Sequence, residues 1–176
     1  MVTIILKIFD FILFSYSITR LLLLRLFGTT VLNIIDIDNT ISRTWQNFER
    51  DHKGIYRINF RETEPYKVLI DEINNLNGKN FVLSARFYSN YFLTRNWLRL
   101  NKLNYVFLIL VPKAEFKLKY FAICSRVFKN VRIYDDLSHN HERGEVQYYD
   151  DLIIAIRAYK NVEYFDYTYL VSRQIE

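Results

Sequence analysis

From Thr30 onward the chain alternates short β-rich apolar runs with segments of helix length, and each apolar run ends on polar residues. The runs are Val31–Ile37, Asn80–Ser84, Tyr105–Val111 and Val131–Tyr134, and the intervening segments, about Pro65–Asn77, Ser89–Lys102, Ala114–Phe128 and Gln147–Tyr159, have helical lengths. Strands that alternate with helices predict a mostly parallel sheet covered on both faces, so the expected class is α/β, a Rossmann-like three-layer sandwich. Pro65 suits the first turn of a helix and Gly78 the stop after one. The tail Val162–Val171 alternates, with Phe165, Tyr167, Tyr169 and Val171 on one side, and reads as a last strand. Between the first strand and Pro65, the segment Asn39–Glu64 carries Gly54 and an alternating run at Tyr56–Phe60, which predicts a hairpin or small flap. With 176 residues, no internal repeat and no Gly/Ser/Pro linker, residues 30–176 form one expected domain, preceded by an apolar segment 1–29.

A composition of 51% hydrophobic and 24% charged residues supplies material for a packed core and excludes disordered, collagen-like and coiled-coil classes. The single cysteine, Cys124, rules out an intramolecular disulfide and a thiolate zinc site, and points to a reducing, cytoplasmic compartment. Net charge is +5, unevenly spread: residues 86–132 carry ten basic groups and one acid, and residues 133–176 carry four basic groups and nine acids. The basic block suits an anionic partner, nucleic acid among them; ordinary solvated helix faces are the other reading.

Residues 2–27 are the most apolar stretch, but Lys7, Asp10, Arg20 and Arg25 interrupt it. A spanning helix needs about 20 apolar residues, and the uncharged runs here are far shorter. The segment is read as a helix packed on the domain or on another chain, or as an interfacial anchor that holds the protein at a membrane surface.

Ligands of an open parallel sheet bind outside the carboxyl ends of its strands. Those ends carry Asp36-Ile-Asp38-Asn-Thr40, Ser84-Ala-Arg86, Pro112-Lys113 and Asp135-Asp136. Carboxylates gathered there repel one another unless a hard divalent cation sits among them, which makes Mg²⁺ the expected cofactor, with Asp36, Asp38, Asp135 and Asp136 as its candidate ligands. A cation beside a hydroxyl and a lysine suits a phosphoryl group. No glycine-rich phosphate loop occurs, which excludes kinase readings of the P-loop kind.

The run Leu32-Asn-Ile-Ile-Asp36-Ile-Asp38-Asn-Thr40 resembles motif I of the haloacid dehalogenase (HAD) superfamily. Val82-Leu-Ser84-Ala-Arg86 is similar to its motif II, Lys117 or Lys113 to motif III, and Val131-Arg-Ile-Tyr-Asp135-Asp136 to motif IV. The resemblance spans about residues 30–160 and implies a phosphatase that works through an aspartyl-phosphate. On that analogy Asp36 is the nucleophile and a Mg²⁺ ligand, and Asp38 is the acid and base. Ser84 binds phosphoryl oxygens, Lys117 stabilises the transferred group, and Asp135 and Asp136 complete the metal shell. Thr40 fixes the loop at the phosphate site, Asn39 is a turn residue, and Arg86 meets a substrate phosphate or pairs with a neighbouring acid. Lys113 is the second candidate for the lysine.

The short connection after the third strand and the modest segment 39–64 leave room for a small flap instead of a large cap, and by family analogy an open site suits large substrates. The layout is loosely similar to the phosphatase part of polynucleotide kinase/phosphatase repair enzymes, which implies phosphorylated nucleic-acid ends; a small-molecule or nucleotide phosphatase and a catalytically idle binding module are the alternatives. His139, His141 and Glu142 have the types of a transition-metal site but read better as a loop that orients Asp135 and Asp136. His52 lies in the flap. Trp45, Trp97 and Cys124 read as packing residues.

Overall fold

The computed structural model describes residues 2–44, 48–50, 56–58, 63–142 and 145–174, with side chains from residue 10 onward except in parts of the short hairpins and at the end of the last helix. Helix α1 (Val2–Leu26) leads into strand β1 (Val31–Ile35). A hairpin of β2 (Phe48–Arg50) and β3 (Tyr56–Ile58) follows, then α2 (Lys67–Asn75), β4 (Lys79–Ser84) and α3 (Tyr91–Leu100). Next come β5 (Phe107–Leu110), α4 (Leu118–Val127) and β6 (Asn130–Tyr134). A second hairpin, β7 (Asn140–Glu142) and β8 (Glu145–Gln147), precedes α5 (Asp150–Arg157), β9 (Val162–Phe165) and α6 (Tyr167–Gln174).

Strands β1, β4, β5, β6 and β9 form one sheet in the order β5-β4-β1-β6-β9, and every neighbouring pair is parallel. The central strands β1, β4 and β5 are buried along almost their whole length because helices cover both faces of the sheet. On one side Leu21 of α1, Phe121 and Cys124 of α4 and Ile156 of α5 pack on Leu32, Ile34 and Phe81. On the other, Ile70 of α2, Leu98 of α3 and Leu170 of α6 pack on Ile35, Val82 and Tyr134. This is the expected three-layer α/β sandwich, and its topology matches HAD-like architecture.

Register between β1 and β4 is tied by buried amides as well as by apolar packing: Asn33 Nδ2 donates to Asn80 Oδ1 at 2.9 Å, and Asn80 Nδ2 donates to the Asn104 carbonyl at 2.8 Å. Cys124 is buried among apolar neighbours, which push its thiol well above the ordinary range. Trp97 is buried too, and its indole N–H donates to the Thr63 carbonyl at 2.9 Å. The stem of the flap is closed by Arg43 N donating to Glu64 O at 2.8 Å and Tyr66 N donating to Ile41 O at 2.9 Å. Trp45 and His52 lie outside the described residues.

The tail departs from expectation. Only Val162–Phe165 is a strand, paired with β6, and residues from Tyr167 are helical. Alternation at positions 165, 167, 169 and 171 also contains the i, i+4 pair Phe165 and Tyr169, whose rings pack at 4.7 Å. Asp166 resolves the ambiguity: its carboxylate accepts from Tyr169 N at 3.2 Å, the bond of a helix N-cap, and Leu170 N donates to its carbonyl at 3.0 Å.

Helix α1 packs inward through Phe14, Ser17, Leu21 and Leu24. Asp10 accepts from Tyr88 Oη at 3.2 Å and from Lys119 Nζ. Among the described residues no helix is long and apolar enough to cross a membrane.

Gly78 follows α2 with φ +111°, and a Cβ built there would stand 2.6 Å from the Val31 carbonyl oxygen. Gly28 also has positive φ, +87°, but has open space around it. Gly28→Ala is expected to cost about 1 kcal/mol of backbone strain, and Gly78→Ala measurably more because a clash with β1 adds to the strain. Urea unfolding of the two variants checks this ranking.

Candidate active site

The sheet order places β1 and β6 side by side while their following connections diverge to opposite faces, so a crevice opens beyond their carboxyl ends. Asp36 is the first residue past the β1 pairing, and its N–H still donates to Tyr134 O at 2.9 Å. Asp135 and Asp136 are the first residues past β6. Oxygens of Asp36, Asp135 and Asp136 lie within 4.8 Å of one another, and all three side chains are buried.

Lys117 comes from the turn of 3₁₀ helix that leads into α4. Its buried Nζ lies 3.0 Å from Asp36 Oδ1 and 2.8 Å from Asp135 Oδ2. Burial alone pulls an ammonium down, but Asp135 and Asp36 outweigh it and hold Lys117 charged well above the ordinary range. Lys113, the other candidate lysine, is solvent-exposed, and Lys119 is paired with Asp10.

Burial raises Asp36, and the neighbouring Asp38 adds to the rise against the pull of Lys117. Asp135 is raised to about 7, chiefly by burial, with Lys117 opposing and Asp36 reinforcing. Asp136 is raised well above the carboxylate range by burial and by Asp36 and Asp135. Asp135 Oδ1 and both carboxylate oxygens of Asp136 are buried with no hydrogen-bond donor among the described residues. Buried carboxylate oxygens are ordinarily satisfied. Three carboxylates against one ammonium leave two negative charges if all are ionised, the charge that one divalent cation cancels. An all-oxygen donor set with unspent lone pairs fits a hard cation such as Mg²⁺.

The Asp38 carboxylate stands apart from this cluster. Arg86 clasps it with both arms, Nε to Oδ2 at 2.7 Å and Nη2 to Oδ1 at 2.6 Å, while Arg86 Nη1 donates to Thr94 Oγ1 at 3.1 Å. Thr44 Oγ1 donates to Asp38 Oδ1 at 2.7 Å, and Ser84 Oγ lies 3.5 Å from Oδ2. Burial pushes Asp38 upward, but Arg86 and Thr44 prevail and hold it below the ordinary carboxylate value. Asp38 is 20% exposed, so it faces the crevice mouth while Lys117 lies at the floor.

The loop that carries Asp38 turns on Ile37, whose carbonyl accepts from the N–H groups of Thr40, Ile41 and Ser42 and from Ser42 Oγ. Asn39 sits at φ +55°, a conformation that Asn tolerates better than most residues. Thr40 is buried, and its hydroxyl has no partner among the described residues. After β6, His139 N donates to the Asp136 carbonyl at 2.8 Å, and the His139 ring stacks on Tyr167 at 4.5 Å. His139 does not join the acidic cluster; the side chains of His141 and Glu142 lie outside the described residues.

Thr44, Thr94 and Tyr164 were not legible as parts of the site. Tyr164 Oη donates to the Asp135 carbonyl at 3.0 Å from β9. A threonine that orients a carboxylate or guanidinium carries no signature in one sequence, because its role depends on a partner brought by another element.

Compared with known proteins, the chain matches no family model, no curated protein and no solved structure.

Asp135 and Asp136 retain protons in the fold that the unfolded chain releases, so metal-free protein is expected to lose stability as pH rises from about 3.8 toward 7. Millimolar Mg²⁺ above pH 7 is expected to reverse this loss. Asp136→Asn is expected to raise metal-free stability by about 1 kcal/mol or more and to abolish most of the Mg²⁺ effect. Thermal melts with EDTA and with Mg²⁺ across that pH range measure both changes.

Proposed function

We propose that the chain is a divalent-cation-dependent phosphohydrolase that transfers a phosphoryl group to Asp36 and then to water. The observation that carries this reading is the buried trio Asp36, Asp135 and Asp136, with orphaned oxygens, around Lys117 at the strand ends. A cation held by these carboxylates, Mg²⁺ on the chemistry of the donors, neutralises phosphoryl oxygens when bound.

Asp36 attacks phosphorus with one carboxylate oxygen; the O–P bond to Asp36 forms as the bond to the ester oxygen breaks. Lys117 orients Asp36 and adds positive charge beside the transferred group. Ser84, and Thr40 with its unspent hydroxyl, supply hydrogen bonds to phosphoryl oxygens. Asp38 protonates the leaving oxygen, then takes a proton from the water that attacks the phosphoryl-Asp36.

The Arg86 clasp favours ionised Asp38, which suits the second step. For the first step the guanidinium must loosen its hold, and an arriving phosphoryl group competes for the same two donors. Arg86 thereby holds Asp38 in readiness and then meets the substrate. The basic block 86–132 favours a polyanionic substrate, and phosphorylated nucleic-acid ends are the first class proposed.

Release of phosphate from an aryl phosphate is expected to need Mg²⁺, to stop with EDTA and to fall to background in Asp36→Asn. If that variant turns over at the natural rate, the reading fails. Asp38→Asn is expected to lose about 10²–10⁴-fold on alkyl phosphates, and less on an aryl phosphate whose leaving group needs no proton. Oligonucleotides with 3′- or 5′-phosphate, nucleotides and sugar phosphates, compared by kcat/KM, identify the substrate class.

A further inference from the structure

Helix α1 is apolar on its outward half as well as its inward half. At 3.6 residues per turn, Phe11, Ile12, Leu22, Leu23 and Leu26 fall on the face opposite the buried Ser17 and Leu21. Phe11 is 70% exposed and Leu26 80%, and Phe27, just past the helix, is 85% exposed. Ser15 and Thr19 lie between them, and the Thr19 hydroxyl donates to the Ser15 carbonyl at 3.1 Å, which satisfies it within the helix. Within residues 10–27 no charge falls on this face, while Arg20 and Arg25 flank it on either side.

Beside the stripe, between α1, α3 and the exposed edge of β5, lies a cleft of about 740 Å³. Its lining includes Tyr16, Arg20, Tyr91, Phe92, Arg95 and Arg99 and no carboxylate. Arg20 donates to the Val106 carbonyl at 3.4 Å and Arg99 to Asn96 Oδ1 at 3.1 Å, and Arg95 hydrogen-bonds Tyr105. Among the described residues, Arg20, Arg25, Arg95 and Arg99 form no ion pair.

We propose that this face docks on an anionic bilayer surface, with α1 lying in the interfacial plane, its uncharged half among the upper acyl chains and the flanking arginines on lipid phosphates. An uncharged helical half bordered by unpaired cations is the form of an interfacial helix. A second copy of the chain fits worse, because an isologous pairing of these faces sets arginines against arginines. A nucleic-acid strand suits the cleft better than the stripe: of the five stripe residues four, Ile12, Leu22, Leu23 and Leu26, are aliphatic and offer no ring for a base to stack on. The inference stands apart from the catalytic reading and survives its failure.

The test is flotation of the full chain with vesicles of phosphatidylcholine alone and of phosphatidylcholine with phosphatidylserine. Binding is expected to the second, to weaken with salt, and to be lost in Leu22→Glu combined with Leu26→Glu. Arg95→Gln combined with Arg99→Gln is expected to lower partitioning by about thirtyfold. All four positions are exposed, so melting temperatures close to that of the natural chain confirm folded variants. The proposal is overturned if the chain fails to float with anionic vesicles, or if the leucine variant floats as well as the natural chain. It is equally overturned if sedimentation shows a dimer that the leucine variant dissociates and vesicles do not bind, or if the arginine variant loses affinity for a single-stranded oligonucleotide while flotation is unchanged.

Discussion

Lys117 holds together two strand ends that would otherwise repel each other. Its ammonium reaches Asp36 beyond β1 and Asp135 beyond β6, and among the described residues it is the one buried lysine. A buried charge is tolerated when opposite charges and hydrogen bonds replace its water, and removing one partner leaves the others uncompensated. The turn before α4, the seating of α4 on the sheet and the close approach of β1 to β6 all bear on this contact. It still leaves the crevice short of positive charge, because one ammonium faces three carboxylates and, among the described residues, no donor reaches the Asp136 carboxylate.

The four acids of the crevice are consequently divided into two electrostatic settings. Three lie deep and are raised chiefly by burial, with neighbouring carboxylates adding to the rise, in an arrangement that could hold a cation. The fourth, Asp38, is drawn to the mouth by Arg86 and Thr44 and kept ionised. Carboxylates two residues apart on one loop therefore differ in proton affinity because different elements supply their neighbours: α4 approach for Asp36, the end of β4 and the loop after it for Asp38. Environments that separate carboxyl groups in this way are how one site assigns distinct acid, base and ligand roles.

The same division of faces applies to α1. Its inward half contributes to the core beside α4, and its Asp10 is neutralised by Lys119, so the helix belongs to the sandwich even though it precedes the sheet in sequence. Its outward half is exposed, and the basic groups of α3 lie in the cleft beside it. A segment that interrupted hydropathy alone describes as packed helix or interfacial anchor thus has one half in the core and one half exposed.

The parallel sandwich and its site acids were legible because their signals are local: apolar runs ending in Asp36-Ile-Asp38, Ser84-Ala-Arg86 and Asp135-Asp136 place chemistry at strand ends in any parallel sheet. The strand-to-helix change at Asp166 was obscured because aromatic spacing satisfied two periods at once, and the cap that decides between them needs only one side chain. Partners were less legible than positions. That Lys117 rather than Lys113 reaches the acids follows from the turn into α4, and that Arg86 clasps Asp38 follows from bringing the end of β4 against the loop after β1. By itself the sequence determined the layered fold and which residues stand at the strand ends, because periodicity and order along the chain suffice for both. The pairing of charges, the orphaned oxygens of Asp136 and the uncovered half of α1 were decided by tertiary structure alone, because each depends on distances between groups that the chain keeps far apart.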